Sequence, residues 1–398
     1  VRVLLAPGAM RPEPGGVPVP GLGLAAQGVV RALAYGWSQA RPADVLTMLP
    51  LGDGAAGSAQ AIAAERIVAK ENLKAPGPLD QDREAALVRL SNPRVAAAGS
   101  TWWLDAAAWA PLPEQADAAA QEALHGTSEG LGILVAQALA RTGPADTLVV
   151  GLDRSAVHDG GLGMIEAWGG VEGAWRAVAG RDVVLALADG VALGGLAGSG
   201  QALASLAGLP PHRAQDLDRR ACATAMRLAG QAALASAGEE GPVAGPPLLG
   251  PGADGGHRTG LSATTWGTGA AGGCALVLRA LGARALPGAQ VMGRLVGLER
   301  AVEGQELVVT ATGEAYDVPD YGVPAIAGRA AATHALPAVL VAGLAAVPRS
   351  ELAAVGLLGA YSLQSPGPGG DGWLSAGPAA LEARVAQLGS RLARTWSR

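Results

Sequence analysis

Between Thr147 and Met164 the chain reads TLVVGLDRSAVHDGGLGM, and here its residue types come closest to a reaction centre. A β-branched, apolar run from Thr147 to Leu152 predicts a buried strand. Beyond it Ser155, His158, Asp159, Gly160, Gly161 and Gly163 crowd together before helix-forming residues resume at Met164. A strand that empties into a glycine-rich loop opening a helix can hold an anion. Glycine lets the backbone approach, and the first N–H groups of the helix lack partners. Asp159 has the chemistry to hold Mg2+ or to accept a proton. The same residue types suit a plain strand-to-helix turn with an aspartate cap, and residue types alone leave both readings open.

Four other stretches carry comparable chemistry. A strand over Val45 to Leu51 runs into GDGAAGS, so Asp53 stands just past a strand end, where open α/β sheets bind ligands; a helix cap is the alternative. Asp189 closes a strand predicted over Asp182 to Ala188. Gly267-Thr268-Gly269-Ala270-Ala271-Gly272-Gly273 opens a helix through Leu281. A strand from Glu306 to Thr310 leads into Ala311-Thr312-Gly313-Glu314. Gly267, Gly269 and Gly272 also fit a dinucleotide fingerprint, but that motif needs an acidic residue about twenty positions on, where Gln290 falls.

The elements that must position these groups alternate between strand and helix, which predicts an α/β fold. Helical patterns run from about Leu24 to Trp37, Ile133 to Arg141 and Gln215 to Ser236, and an amphipathic helix from Ala379 to Trp396. Further strands are expected at Arg2 to Pro7, Ala338 to Gly343 and Val355 to Leu363. Thr127-Ser128 before Glu129-Gly130-Leu131-Gly132 reads as a helix N-cap. Pro12 to Gly23 and Ala237 to Gly260 read as Gly/Pro loops, with His257 solvent-exposed. Trp102, Trp103 and Trp109 are expected in a core or interface, since no basic residues interleave them as in a base-stacking platform.

A chain of 398 residues has room for two domains. Its net charge is −5, and Lys70 and Lys74 are its only lysines, which argues against a nucleic-acid partner. Two isolated cysteines, Cys222 and Cys274, make neither a disulfide framework nor a metal knuckle and fit a reducing cytoplasm. Neither a signal peptide nor a membrane span is expected.

GLDRSAVHDGGLGM resembles the GLGGSATNDGGAGM signature of bacterial glycerate kinases, with Gly151, Leu152, Ser155, Ala156, Asp159, Gly160, Gly161, Gly163 and Met164 matching. GTGAAGG with GARALPGAQVM is similar to that family's PGAGAAGG and GARLRPGIELV, and Asp53, Gly54 and Gly57 match its ADGGEGT pattern. Thr312, Gly313 and Glu314 fit its TGE core. The departures are Ala56 for a glutamate, His158 for an asparagine, Ile133 for an acidic residue, and the loss of lysines at usual positions.

The resemblance implies a flavodoxin-like α/β domain built from both chain ends, 1–80 plus 295–398, with a second α/β domain inserted over 81–294 and the active site in a cleft between them. It implies a kinase that uses ATP and Mg2+ on glycerate or a related small hydroxy acid. Asp189 is then the general base or hydroxyl-orienting group, and Asp53 and Asp159 position metal or substrate. Loops Ser155 to Gly161 and Gly267 to Gly273 hold phosphate or carboxylate, Thr312, Gly313 and Glu314 add contacts, and Arg11 or Arg154 takes a carboxylate. A catalytically impaired relative that keeps the fold and binds a ligand or partner is the alternative. The expected partners are nucleotide and hydroxy acid, with a homodimer open.

Overall fold

The computed structural model describes residues 1–12, 22–91, 99–236, 260–364, 372–374 and 377–397. Most of the two expected Gly/Pro loops, with His257, lies outside them. The chain packs as two compact units. One comprises Val1–Asp53, Gln60–Ile62 and Ala289–Arg398, the other Gly54–Ala59 and Ala63–Gly288.

The first unit opens with β1 (Arg2–Leu5), α1 (Ala26–Ala40) and β2 (Val45–Met48). The chain then leaves for the second unit, built from β3 (Ile67–Pro76), β4 (Asp82–Leu90), β5 (Thr101–Leu104), α2 (Ala116–His125), α3 (Glu129–Arg141), β6 (Thr147–Leu152), α4 (Leu162–Ala167), α5 (Val171–Val178), β7 (Asp182–Leu187), α6 (Ser199–Leu206), α7 (Pro211–Ser236), α8 (Cys274–Ala280) and β8 (Arg284–Pro287). It returns through α9 (Gly288–Val296), α10 (Leu298–Val302), β9 (Leu307–Ala315), α11 (Val323–Ala332), β10 (Ala338–Ala345), α12 (Arg349–Ala354), β11 (Gly359–Gln364) and α13 (Gly377–Trp396).

The sheet of the first unit is parallel throughout, in the order β11-β10-β9-β1-β2. Counted within the unit, that is the 2-1-3-4-5 order of flavodoxin-like folds, with the reversal of winding between β1 and β9. Both faces are covered, one by α1 and α13 around Trp37 and Leu388, the other by α9 to α12 around Leu298 and Leu352. Burial on two faces explains the unbroken apolar runs VLL in β1 and AVLVA in β10.

In the second unit the order is β3-β4-β5-β6-β7-β8, with β5 to β8 parallel and β3 and β4 antiparallel. Every residue of β6 is buried. The three tryptophans expected inside, Trp102, Trp103 and Trp109, are buried. Residues 63–80, grouped by sequence with the chain ends, belong to the second unit, because β3 pairs along its length with β4. That outer strand carries Lys70 and Lys74, charged residues of the kind that discourage further strand addition at an open edge.

Candidate active site

In the second unit three loops meet at the C-terminal ends of β6 and β7. The first follows β6 (residues 153–161), the second follows β7 (188–198), and the third leads into α8 (262–273). They are stitched backbone to backbone: Ala271 N–H to Asp153 O at 2.9 Å, Gly160 N–H to Gly272 O at 3.0 Å, Gly267 N–H to Gly190 O at 2.9 Å and Gly269 N–H to Val191 O at 3.0 Å. Glycine is required at 272, where φ is +64° and a Cβ would overlap the Val157 carbonyl. A fourth piece, starting at Gly54, crosses the ends of the same two strands. A Cβ at 54 would lie 2.7 Å from Ala186 O, and one at Gly151 would lie 2.8 Å from Gly54 O.

Asp159 acts as a brace between helix starts. Its Oδ2 accepts from Ser128 N at 2.8 Å, Ser128 Oγ at 2.8 Å and Gly163 N at 3.1 Å, and its Oδ1 accepts from Gly161 N at 2.9 Å. One carboxylate thus serves the first turns of both α3 and α4, whose N–H groups would otherwise be orphaned. Ser128 Oγ accepts in turn from Met164 N at 3.0 Å, completing the brace. Oδ2 is filled by its three donors, whereas Oδ1, with one, keeps a lone pair. Among the described residues no three His, Cys, Asp or Glu side chains cluster as metal ligands.

Asp189 and Arg154 are brought together. Arg154 Nε donates to Asp189 Oδ2, Val191 N–H donates to Asp189 Oδ1 at 2.7 Å, and both side chains are less than one-fifth exposed. The pair joins the ends of neighbouring strands β6 and β7. The two terminal amino groups of Arg154 have no protein acceptor among the described residues.

The glycine loops divide the expected work. From Gly267 to Gly272 every backbone N–H is taken by a protein carbonyl, so this loop braces its neighbours instead of cradling an anion. Thr268 is fully buried; its hydroxyl accepts from Leu193 N at 3.0 Å and lies 2.7 Å from Thr265 O. The backbone N–H groups of Ser155, Ala156, His158 and Asp159, in contrast, have no protein acceptor among the described residues. The His158 side chain does not join them. It is 1% exposed, with Nε2 3.3 Å from Asp218 Oδ1 on α7 and Nδ1 buried without a partner. Asp218 also faces Cys222, whose thiol is pushed up to about 11 by burial and then by that carboxylate.

The remaining expected residues belong to the first unit, at the C-terminal edge of its own sheet. Gly8 N–H bonds Ala311 O at 2.9 Å, so the loop after β1 lies along β9 at the reversal of winding. The strand β9 extends through Ala315, beyond the end expected at Thr310, and takes Thr312, Gly313 and Glu314 into the ladder with β10. A Cβ at Gly313 would overlap the backbone of Arg11, so these two positions are adjacent. Glu314 Oε1 accepts from the buried Trp373 Nε1 at 3.2 Å. Asp53 is the last residue of this unit before Gly54.

One buried acid escaped sequence reasoning. Glu122 on α2 is 5% exposed and its Oε2 has no partner. Burial pushes its carboxyl above the ordinary range, against a smaller opposing pull from Arg83. Nothing local marks it, since Arg83 lies on β4.

The glycerate kinase family profile matches residues 23–183 and 192–395. Uncharacterized proteins of Mycobacterium bovis and Mycobacterium tuberculosis are each 31% identical over 369 residues, covering 91% of this chain and 84% of theirs. Glycerate 2-kinase of Escherichia coli K12 is 30% identical over 146 residues, 37% of this chain and 36% of that protein. A solved structure from Salmonella typhimurium LT2, provisionally named glycerate kinase 2, shares the fold at a TM-score of 0.66 and 21% identity, over 99% of this chain and 97% of that one.

Proposed function

Since this chain belongs to the glycerate kinase family, we propose that it transfers a phosphoryl group from ATP to a hydroxyl of glycerate or a related small hydroxy acid. The observation that carries the reading is the Arg154–Asp189 pair beside four unclaimed N–H groups at the ends of β6 and β7. Phosphoryl transfer asks mainly for positioning and charge stabilisation, and this arrangement supplies groups for both.

In this reading the substrate carboxylate lies on the terminal amino groups of Arg154, whose planar fork suits two oxygens. The substrate hydroxyl donates to Asp189. Held by Arg154 and the Val191 N–H, that carboxylate orients the hydroxyl and takes its proton as the oxygen attacks the γ-phosphorus and ADP leaves. The N–H groups from Ser155 to Asp159 stabilise phosphate charge. Mg2+, carried in on the nucleotide, would neutralise phosphate charge; on Asp159 only Oδ1 keeps a lone pair that would meet it. Loop Gly267 to Gly273 and Thr268 act by holding the other two loops in place. Arg11, Asp53 and Thr312 to Glu314 are proposed as ligand contacts at the C-terminal edge of their own sheet. Cys222, half-exposed, and Cys274, buried, are both unpaired, which suits work in a reducing cytoplasm.

The test is ADP release by the purified protein with ATP, Mg2+ and D-glycerate. Turnover that falls roughly 10²–10⁴-fold in Asp189→Asn supports the assignment; no turnover with glycerate or other small hydroxy acids refutes it. Ala56 in place of the family's glutamate, together with the missing lysines, favours a second reading, a catalytically impaired relative that keeps nucleotide binding. Its mark would be a Tm raised by ATP in a protein that releases no ADP.

A further inference from the structure

The helix layer of the first unit holds a half-open cavity of about 460 Å3 between α9, α10 and α11. It is set away from the strand ends described above. The start of α11 follows the C-terminal edge of β9, so Arg329 and the residues after it lie toward the opposite edge, where β10 begins. The volume falls within the range of small-molecule sites.

Charges in the lining are segregated by helix. Arg294 comes from α9 and Arg329 from α11, whereas Glu299 and the following Glu303 come from α10 and its end. Arg329 is already engaged, with Nη1 2.9 Å from Asp320 Oδ1. The Arg294 residue is half-buried and its guanidinium makes no hydrogen bond or ion pair among the described residues, and neither do the carboxylates of the two exposed glutamates. Leu298 and Ile326 supply apolar surface between the two charged sides.

We infer that this cavity binds an α-amino acid with an aliphatic side chain, its carboxylate on Arg294, its ammonium toward Glu299 and Glu303, and its side chain on Leu298 and Ile326. A half-buried guanidinium without a partner favours a carboxylate, the strongest acceptor available to it. A plain anion would meet two carboxylates on the facing helix, and a plain amine would leave Arg294 unpaired. A ligand carrying both charges about one carbon apart satisfies both sides.

Isothermal calorimetry with the intact protein and each of the twenty proteinogenic amino acids tests this, and its heat signal does not depend on turnover. An aliphatic amino acid should saturate the protein, and Arg294→Ala should weaken it roughly 10–100-fold, as expected for loss of a charge-assisted hydrogen-bonded pair. The Glu299→Gln/Glu303→Gln variant, changed only at exposed positions, should lose the preference for the amino acid over its 2-hydroxy analogue. The inference is overturned by absence of binding up to about 10 mM, beyond the ~1 mM at which affinity is already only about −4 kcal/mol. It is equally overturned by equal binding of the 2-hydroxy analogue, or by unchanged affinity in Arg294→Ala.

Discussion

Replacing Asp159 by asparagine separates a brace from a metal ligand. The carboxylate receives four donors, from Ser128 N, Ser128 Oγ, Gly161 N and Gly163 N. Hydrogen bonds to a charged acceptor contribute ~1.5–3 kcal/mol each, against ~0.5–1.5 for neutral pairs. Asparagine is nearly isosteric. With its carbonyl turned toward Ser128 and Gly163, three bonds drop to the weaker class, while Gly161 N–H faces an NH2 and loses its acceptor. Allowing for non-additivity, the loss is ~3–5 kcal/mol, a large share of the ~5–15 kcal/mol that holds an ordinary protein together. At ~2–4 °C per kcal/mol for a domain of ~150–250 residues, the Tm should fall by roughly 6–20 °C. Calorimetry at neutral pH without nucleotide or metal reads this directly. A Ser128→Ala/Asp159→Asn cycle should show coupling of ~1–3 kcal/mol, because the two side chains share one network. If Asp159→Asn melts within about 2 °C of the parent yet loses ATP-dependent activity, the carboxylate serves ligand chemistry and the bracing argument is wrong.

Gly272→Ala should cost ~3 kcal/mol or more in urea unfolding, since it combines a positive φ with a backbone collision against Val157; a change under about 0.5 kcal/mol, the range of an ordinary surface substitution, would contradict the stitched-loop geometry. Asp146 is pushed up by burial but pulled further down by the N–H groups of Gly143 and Ser100, the Trp102 indole and Arg89, for a net depression. Its stabilisation is therefore complete above the unfolded value of about 3.9 and lost as pH falls through the lower folded value. Asp146→Asn should lower the Tm at pH 7 and flatten the acid limb below about pH 4. For Glu122 the sign reverses, because burial raises its carboxyl. Charging it costs stability as pH rises through the raised value, so Glu122→Gln should gain on the parent at pH 8 and lose that gain near pH 4, close to the ordinary glutamate value.

Strands buried on both faces were the most readable part of the chain. The apolar run Thr147 to Leu152 forms β6 with the expected bounds, and Asp182 to Ala188 differs from β7 by one residue. The β3–β4 pair stayed hidden. Its outer strand holds VAKENLK, mostly exposed, so no apolar run or strict alternation announces it. The same physics governed the site. Glycine spacing located the loops, but not which of their N–H groups were already spent. The donors to Asp159 include Ser128, thirty-one positions away. His158 turns inward toward Asp218, sixty positions on, and Arg154 finds Asp189 across neighbouring strands. Long-range hydrogen bonds decide what a polar residue does, and local pattern carries no trace of them.

The course of the chain through the first unit sets a timetable for its synthesis. β1 pairs on one side with β2 and on the other with β9, whose first residue is Leu307. At ~5–20 residues per second, a ribosome adds the ~260 residues between β2 and β9 in roughly 13–52 s. Through that interval the nascent chain carries a two-stranded apolar fragment still lacking its third strand, while the whole second unit is made and free to fold. A chaperone that shields early segments would find its binding site there, and release would have to wait for β9.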